Sequence, residues 1–233
     1  LVICQAAFGM WTVTLKLWPQ VVTAHLLGGF ATLSLLLLLG LRLHGGLNPL
    51  APSPAMARLR NLARLVLLVV IAQITLGGWV SSNYAAVACV DLPTCHGQWW
   101  PDNMDFAAGF NVFQEIGPNY LGGMLDGPGR TAIHLSHRIG ALITTLAVLL
   151  LAWRLLGAGL GRLAGLLLLA LAIQVGLGIT NVLAHLPLAV AVAHNAFGAV
   201  LLLVLVSINY RVRAPAREAL FDRSLSTGTL ASR

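Results

Sequence analysis

The sequence predicts an all-α fold, a polytopic bundle of transmembrane helices, and three observations lead to this prediction. Hydrophobic residues make up 58% of the 233 residues, whereas charged residues make up only 9%. This balance excludes an ordinary soluble domain. Several apolar runs are long enough to cross a bilayer, and the first and last pairs of runs are copies of one unit.

Six apolar runs follow one another along the chain. Crossing the hydrocarbon core takes about 20 apolar residues, so the first run is short and the other five are sufficient. Because a helix satisfies its own backbone hydrogen bonds in lipid, we predict a helix for each run. The runs cover residues 1–15, 18–41, 63–83, 131–153, 161–184 and 187–209. The chain starts with Leu1 on a short run, which we interpret as a missing N-terminus.

The basic residues predict the orientation of the bundle. Apart from Lys16, Arg130 and Arg138, every Lys and Arg flanks the second or fourth connection or follows the last run. Basic residues accumulate on the cytoplasmic side, so we expect these connections and the C-terminus there. The long loop 84–130 is then extracytoplasmic. The net charge of +7 does not indicate a nucleic-acid partner, because the basic residues form no single face.

An internal repeat relates the first two runs to the last two. A shift of 169 residues places Gln5 on Gln174, Gly9 on Gly178 and His25 on His194. The third run carries the same Gln-x-x-x-Gly element at Gln73 and Gly77. The predicted unit is a helix with this element followed by a helix with an inward histidine. Parallel repeats of this kind occur in membrane proteins.

Three histidines are the candidate ligands of a cofactor. His25, His137 and His194 each lie six or seven residues into a run, roughly 10 Å deep at about 1.5 Å per residue. Imidazole at this depth suits haem iron. The alternative is that these histidines only hydrogen-bond neighbouring helices. Glycines near the histidines would leave room for a flat macrocycle, namely Gly28, Gly29, Gly140 and Gly198.

Two further polar residues share the helix of His137. Arg138, near the outer interface, would suit a propionate carboxylate. His134 lies one turn nearer the surface. Three interpretations of His134 stay open: a partner of the ligands, a proton relay or a polar residue of the first turn.

The cysteines leave several interpretations open. Cys89 and Cys95 share a loop on the expected oxidising side, where a disulfide persists. The pair is either a structural disulfide or a redox-exchanging one. Cys95 and His96 give only a weak zinc signal. Cys4 is expected to be a packed thiol.

Four segments make the sequence similar to the haem A synthase family: Gln73–Gly78, Cys89–Pro101, Ile133–Arg138 and Ala193–Asn195. The resemblance covers about residues 1–212. Enzymes of this family oxidise a methyl group of haem O to the formyl group of haem A for cytochrome oxidase. The resemblance implies two similar four-helix halves, of which this chain matches the last six helices.

The resemblance also implies roles for individual residues. His137 and His194 would bind the iron of haem b, and His25 would bind the iron of the substrate haem. Cys89 and Cys95 would form an extracytoplasmic disulfide. The family's Glu and His-Arg pair on its second helix have no counterpart in this sequence, so the catalytic residues are not identified.

The resemblance divides the chain into four parts and places it in the bacterial cell membrane. The parts are residues 1–43, ending the substrate-haem half, a cytoplasmic linker 44–62, the haem b half 63–213, and a cytoplasmic tail 214–233. The implied partners are the lipid bilayer and haem O synthase. The electron acceptor and homo-oligomer formation stay open.

Two other functions remain compatible with these residues. A non-enzymatic electron-transfer cytochrome b also needs paired histidines, but it would need neither His25 nor the repeat. A membrane thiol oxidoreductase would use Cys89 and Cys95 and would leave the histidines unexplained. We also expect a short lid helix near residues 105–116 of the long loop.

Overall fold

The structure is a computed structural model that describes residues 1–44, 50, 53–119 and 123–213. The helices are α1 (Val2–Thr14), α2 (Pro19–Leu43), α3 (Pro54–Ser82), α4 (Phe106–Gly109), α5 (Gly127–Gly157), α6 (Gly161–Leu183) and α7 (Leu188–Arg211). All of these except α1 and α4 are long and apolar enough to cross a membrane. The predicted all-α transmembrane bundle is therefore confirmed. The tail predicted over 214–233 lies outside the described residues.

Two helices begin earlier than their apolar runs, because each begins with a capped polar turn. The Ser53 side chain accepts a hydrogen bond from the Met56 N–H, and α3 starts at Pro54 rather than at residue 63. The Asp126 carboxylate accepts one from the Gly129 N–H, and α5 starts at Gly127 rather than at residue 131. The expected linker 44–62 thus contains the first turns of α3. In the long loop, the expected lid helix is only the single turn of α4.

Four helices form a closed ring in which each helix contacts its two neighbours. The contacts are α3 with α5, α5 with α6, α6 with α7, and α7 with α3. Consequently α5 and α7, which carry His137 and His194, lie diagonally opposite each other. Helix α2 packs outside the ring against α3 and α7, and α1 packs on α2. We call the end of the ring that carries residues 83–126, between α3 and α5, the loop end.

The ring is packed most extensively away from the loop end. There a large buried cluster joins all four helices, with Val66, Leu151, Leu167 and Leu205 fully buried. A small second cluster lies beneath the loop around Trp79 and Ile133. Between these clusters, the residues at the level of the histidines are partly or fully exposed rather than buried. We call residues 71–77, 136–143, 172–183 and 188–197 the histidine band.

The ends of α1, α3 and α6 confirm the internal repeat. Each helix is followed by a non-glycine residue in the left-handed region, Lys16, Tyr84 and His185, with φ of 50°, 55° and 57°. The same hydrogen bond closes the first and last copies, from Leu17 N–H to the Thr12 carbonyl and from Leu186 N–H to the Asn181 carbonyl, both 2.8 Å. After α3 the chain leaves this turn into the long loop instead of entering the next helix directly.

Candidate functional site

Each of the three histidine rings lies against the glycine of the Gln-x-x-x-Gly element on the first helix of its repeat unit. A Cβ added to Gly9, Gly77 or Gly178 would lie 3.1 Å from Cε1 of His25, His137 or His194, respectively. That distance is tighter than ordinary van der Waals contact, so the absence of a side chain lets the Cε1 edge of the ring pack closely on the helix. The three pairs of helices therefore seat their histidines in the same way.

The glutamine of each element contacts the same histidine. Gln73 Nε2 donates a hydrogen bond to the His137 carbonyl over 3.0 Å and also lies 3.0 Å from His137 Nδ1. Gln174 Nε2 lies 3.4 Å from His194 Nε2. Gln5 Nε2 donates to the carbonyl of His25 over 2.9 Å. These glutamines marked the repeat in the sequence, but only the structure shows that they touch the histidines.

The glycines that follow the histidines have a different role from the predicted one. They were expected to make room for a macrocycle, but the glutamines occupy that space. A Cβ on Gly28 would lie 2.1 Å from Gln5 Oε1, and a Cβ on Gly140 would lie 2.2 Å from Gln73 Oε1. At Gly198 the neighbour is Gln174 Nε2, 3.5 Å away.

The histidine rings have unused hydrogen-bonding capacity. Nδ1 of His25 and Nδ1 of His194 are buried and have no hydrogen-bond partner in the described part of the chain. Such atoms are uncommon in folded proteins and indicate an absent ligand or water. Among the described residues, no group of three or more His, Cys, Asp or Glu could hold a bare metal ion. Separate imidazoles with unused ring nitrogens are a donor set that fits haem iron.

Arg138 is committed to the disulfide loop. Its guanidinium donates to the carbonyls of Cys89, Asp91 and Thr94, at 2.7–2.8 Å. The predicted contact between Arg138 and a propionate thus stays a prediction. The hydrogen bonds from Arg138 to the loop backbone were not revealed by the sequence.

His134 is buried, with 4% of its surface exposed, and its Nδ1 accepts a hydrogen bond from the Cys89 N–H over 3.2 Å. The ring therefore supports the loop backbone next to the disulfide. Of the roles expected for His134, this contact fits a supporting polar residue in the early turns of α5.

The Cys89 and Cys95 sulfurs lie 2.06 Å apart, which confirms the predicted disulfide. Both residues are fully buried, as expected for a structural bond rather than for one that exchanges with an external thiol. Cys4, by contrast, is exposed on α1 and is not the packed thiol that was expected.

Asp91 organises the loop that the disulfide closes. Its carboxylate accepts hydrogen bonds from the Thr94 hydroxyl at 2.6 Å and from the N–H groups of His96 and Gly97 at 2.7 and 2.9 Å. The Thr94 hydroxyl, followed by the Gly97 N–H, holds the pKa of Asp91 well below its ordinary value.

A family model, COX15-CtaA, described as cytochrome oxidase assembly protein, matches residues 1–206. A protein named Heme A synthase from Shewanella oneidensis is 52% identical over 211 residues, which are 90% of this chain and 63% of the relative. Proteins of the same name from Methylobacterium radiotolerans and Methylorubrum populi are 33% identical over 167 residues and 30% identical over 182 residues. These matches cover 70% and 76% of this chain, but only 42% and 45% of those relatives.

Proposed function

Because the chain belongs to the COX15-CtaA family of cytochrome oxidase assembly proteins, we propose that it acts as a membrane haem A synthase. In this reaction a methyl group of haem O is oxidised to the formyl group of haem A. The relatives named Heme A synthase support this assignment. The five long apolar helices are consistent with an enzyme that works on a lipid-soluble haem within the bilayer.

His137 and His194 are the proposed ligands of haem b. The observation that carries this proposal is the placement of these histidines, one on each of two diagonal helices of the ring, with each ring packed on a glycine of a neighbouring ring helix. Haem b would supply one-electron transfer when bound there. The residues of the chain hold the two imidazoles against Gly77 and Gly178.

His25 is the proposed ligand of the substrate haem. Its ring has the same glycine seat as the other two histidines, and its Nδ1 is buried without a partner in the described part of the chain. Helix α2 lies outside the closed ring, so the His25 site is separate from the haem b site. The proposed task of His25 is orientation of the porphyrin, because a fixed position of the reacting methyl lowers the barrier.

The proposed orientation places the loop end outside the cytoplasm. The Arg residues remote from the loop end support it, since basic residues remain on the cytoplasmic side. In that position the Cys89–Cys95 disulfide lies where oxidation is favoured. We propose the bacterial cell membrane as the location and haem O synthase as the source of the substrate.

Absorption spectra of the protein purified from membranes test the haem b site. His137→Ala and His194→Ala should each lose most of the low-spin haem b spectrum, since each variant removes one of the two imidazoles proposed to hold the iron. The matched control is His185→Ala, which removes an exposed histidine in the α6–α7 turn. Full spectra in both ligand variants would contradict the assignment.

The same preparations separate the synthase from its two alternatives. A thiol oxidoreductase would show no Soret band. Haem O or haem A extracted beside haem B would favour the synthase over an electron-transfer cytochrome b, which would yield haem B alone.

A further inference from the structure

We propose that Gln73 is a positioning residue for His137, which it orients through a hydrogen bond to ring atom Nδ1. The inference rests on the proposed function, because it assumes that His137 binds haem iron. It concerns a residue that touches neither iron nor porphyrin and acts only through the ligand.

The contacts of Gln73 define which ring nitrogen is available. Gln73 Nε2 lies 3.0 Å from both Nδ1 and the backbone carbonyl of His137, so one amide group holds the ring and its own backbone together. In the described part of the chain, this leaves Nε2 of His137 without a hydrogen bond. Nε2 is therefore the nitrogen free to bind iron.

Iron binding changes what Nδ1 requires. A neutral imidazole that binds metal through Nε2 carries its proton on Nδ1 and needs an acceptor there. Gln73 can supply this acceptor, because its Oε1 is buried and has no partner among the described residues. Rotation of the amide about its last bond would exchange Nε2 for Oε1 opposite Nδ1. The rotation gives up the bond to the His137 carbonyl and gains one from the Nδ1 proton, and the amide must also move away from that carbonyl, because two acceptor oxygens repel each other.

Gly140 provides the space in which this amide sits. A Cβ at Gly140 would lie 2.2 Å from Gln73 Oε1, which is closer than such atoms approach in proteins. Gly140→Ala should therefore displace the amide while leaving both Gln73 and His137 in the sequence. Gly157, in the same helix, has no atom within 4 Å of an added Cβ and provides the matched control.

The repeat places a glutamine beside each of the other two histidines, but their ring contacts differ from that of Gln73. Gln174 Nε2 lies 3.4 Å from Nε2 of His194 rather than from Nδ1, and Gln174 Oε1 is likewise buried without a partner in the described residues. Gln5 contacts the backbone of His25. The buried amide oxygens of Gln73 and Gln174, each without a partner in the described residues, are more than packing requires, because such an oxygen destabilises the fold.

The test compares haem b affinity, the low-spin spectrum and the reduction potential of wild type, Gln73→Leu, Gln73→Glu and Gly140→Ala, all as the full chain purified from membranes. Gln73→Leu and Gly140→Ala should weaken haem b binding by about 10- to 100-fold, the usual effect of removing such a partner. Both should raise the reduction potential, because the ligand loses an acceptor. Gln73→Glu should lower the potential, because a carboxylate is a stronger acceptor than an amide. Gly157→Ala should leave all three properties unchanged.

Opposite shifts of the reduction potential in Gln73→Leu and Gln73→Glu distinguish a positioning role from general loss of structure. If Gln73→Leu and Gln73→Glu shift the reduction potential in the same direction, or not at all, the role of Gln73 is refuted. Loss of haem b in His137→Ala would still support the binding site in that case. A normal haem b spectrum in His137→Ala would overturn both. If Gln73→Glu does not accumulate in membranes, Gly140→Ala decides, and an unchanged potential there refutes the role of Gln73.

Discussion

Asp91 and Arg138 hold the disulfide loop through its backbone. The Asp91 carboxylate accepts two backbone N–H groups and the Thr94 hydroxyl, and the Arg138 guanidinium donates to three backbone carbonyls. Charge-assisted hydrogen bonds are stronger than those between neutral groups. The conformation of residues 89–97 therefore depends on both charges.

Asp91 should make the loop sensitive to acid. Its pKa in the folded protein lies below the unfolded value of about 4, so its contribution is complete above about pH 4 and is lost as the pH falls towards the folded pKa. We expect a phosphine reductant to cleave Cys89–Cys95 faster below about pH 4 in the wild type. Asp91→Asn should be reduced quickly at every pH, without this transition. Identical pH profiles for the two proteins would contradict the prediction.

Arg138 should be required for loop order rather than only for charge. Arg138→Ala removes three charge-assisted hydrogen bonds, and at about 1.5–3 kcal/mol for one such bond, the loss should exceed about 2 kcal/mol. Arg138→Lys should recover only part of it, because an ammonium lacks the planar fork of donors. The measurement is the thermal unfolding of the purified protein together with the rate of disulfide reduction. Arg154→Ala, at the far end of α5, is the control, and equal effects of both variants would contradict the prediction.

At the scale of helices, α6 contains one glycine that contacts a histidine ring and one that does not, and the two can be compared. Gly178→Ala would place a Cβ 3.1 Å from Cε1 of His194, whereas an added Cβ on Gly176 meets nothing within 4 Å. Replacing a helical glycine by alanine stabilises a helix by up to about 1 kcal/mol when space permits. Gly176→Ala should thus be neutral or stabilising, and Gly178→Ala should weaken haem b binding. Titration of haem b into both variants measures the difference. Equal affinities would show that the contact between Gly178 and His194 does not support haem b binding.

The sequence predicted the helices well because long apolar runs are unambiguous in a membrane protein. It missed the starts of α3 and α5, because their first turns are polar and depend on the Ser53 and Asp126 caps. The cap residues were visible, but hydropathy alone does not register them. The contacts of Gln73 and Arg138 could not be predicted either. The Gln73 contact joins residues 64 positions apart in the sequence, and the Arg138 contacts join residues 44 to 49 positions apart. A repeat pattern does not give the distances between such residues.

At the scale of the whole molecule, two histidine sites differ in their surroundings. His137 and His194 belong to the closed ring, whereas His25 lies on α2, which packs outside it against α3 and α7. Loss of the His25 imidazole should therefore leave the ring intact. The two sites can be tested separately.

If His25 binds the substrate haem as proposed, His25→Ala should abolish conversion of haem O to haem A and retain haem b. The assay is extraction of haems from membranes of cells that depend on this protein for haem A, with the low-spin spectrum as the internal control. His44→Ala, an exposed histidine after α2, should behave as the wild type. Normal haem A production in His25→Ala would show that His25 only contributes to packing.

The histidine band lies between packed regions that do not depend on it. The large buried cluster joins the four ring helices on one side, and the disulfide loop anchors α3 and α5 on the other. Because both regions consist of contacts between protein groups, their formation should not require a porphyrin. If His137 and His194 bind haem b as proposed, assembly of the helices in the membrane should precede insertion of the pigment. In cells starved of haem, the protein should then accumulate with its disulfide formed and should take up haem b when the supply returns.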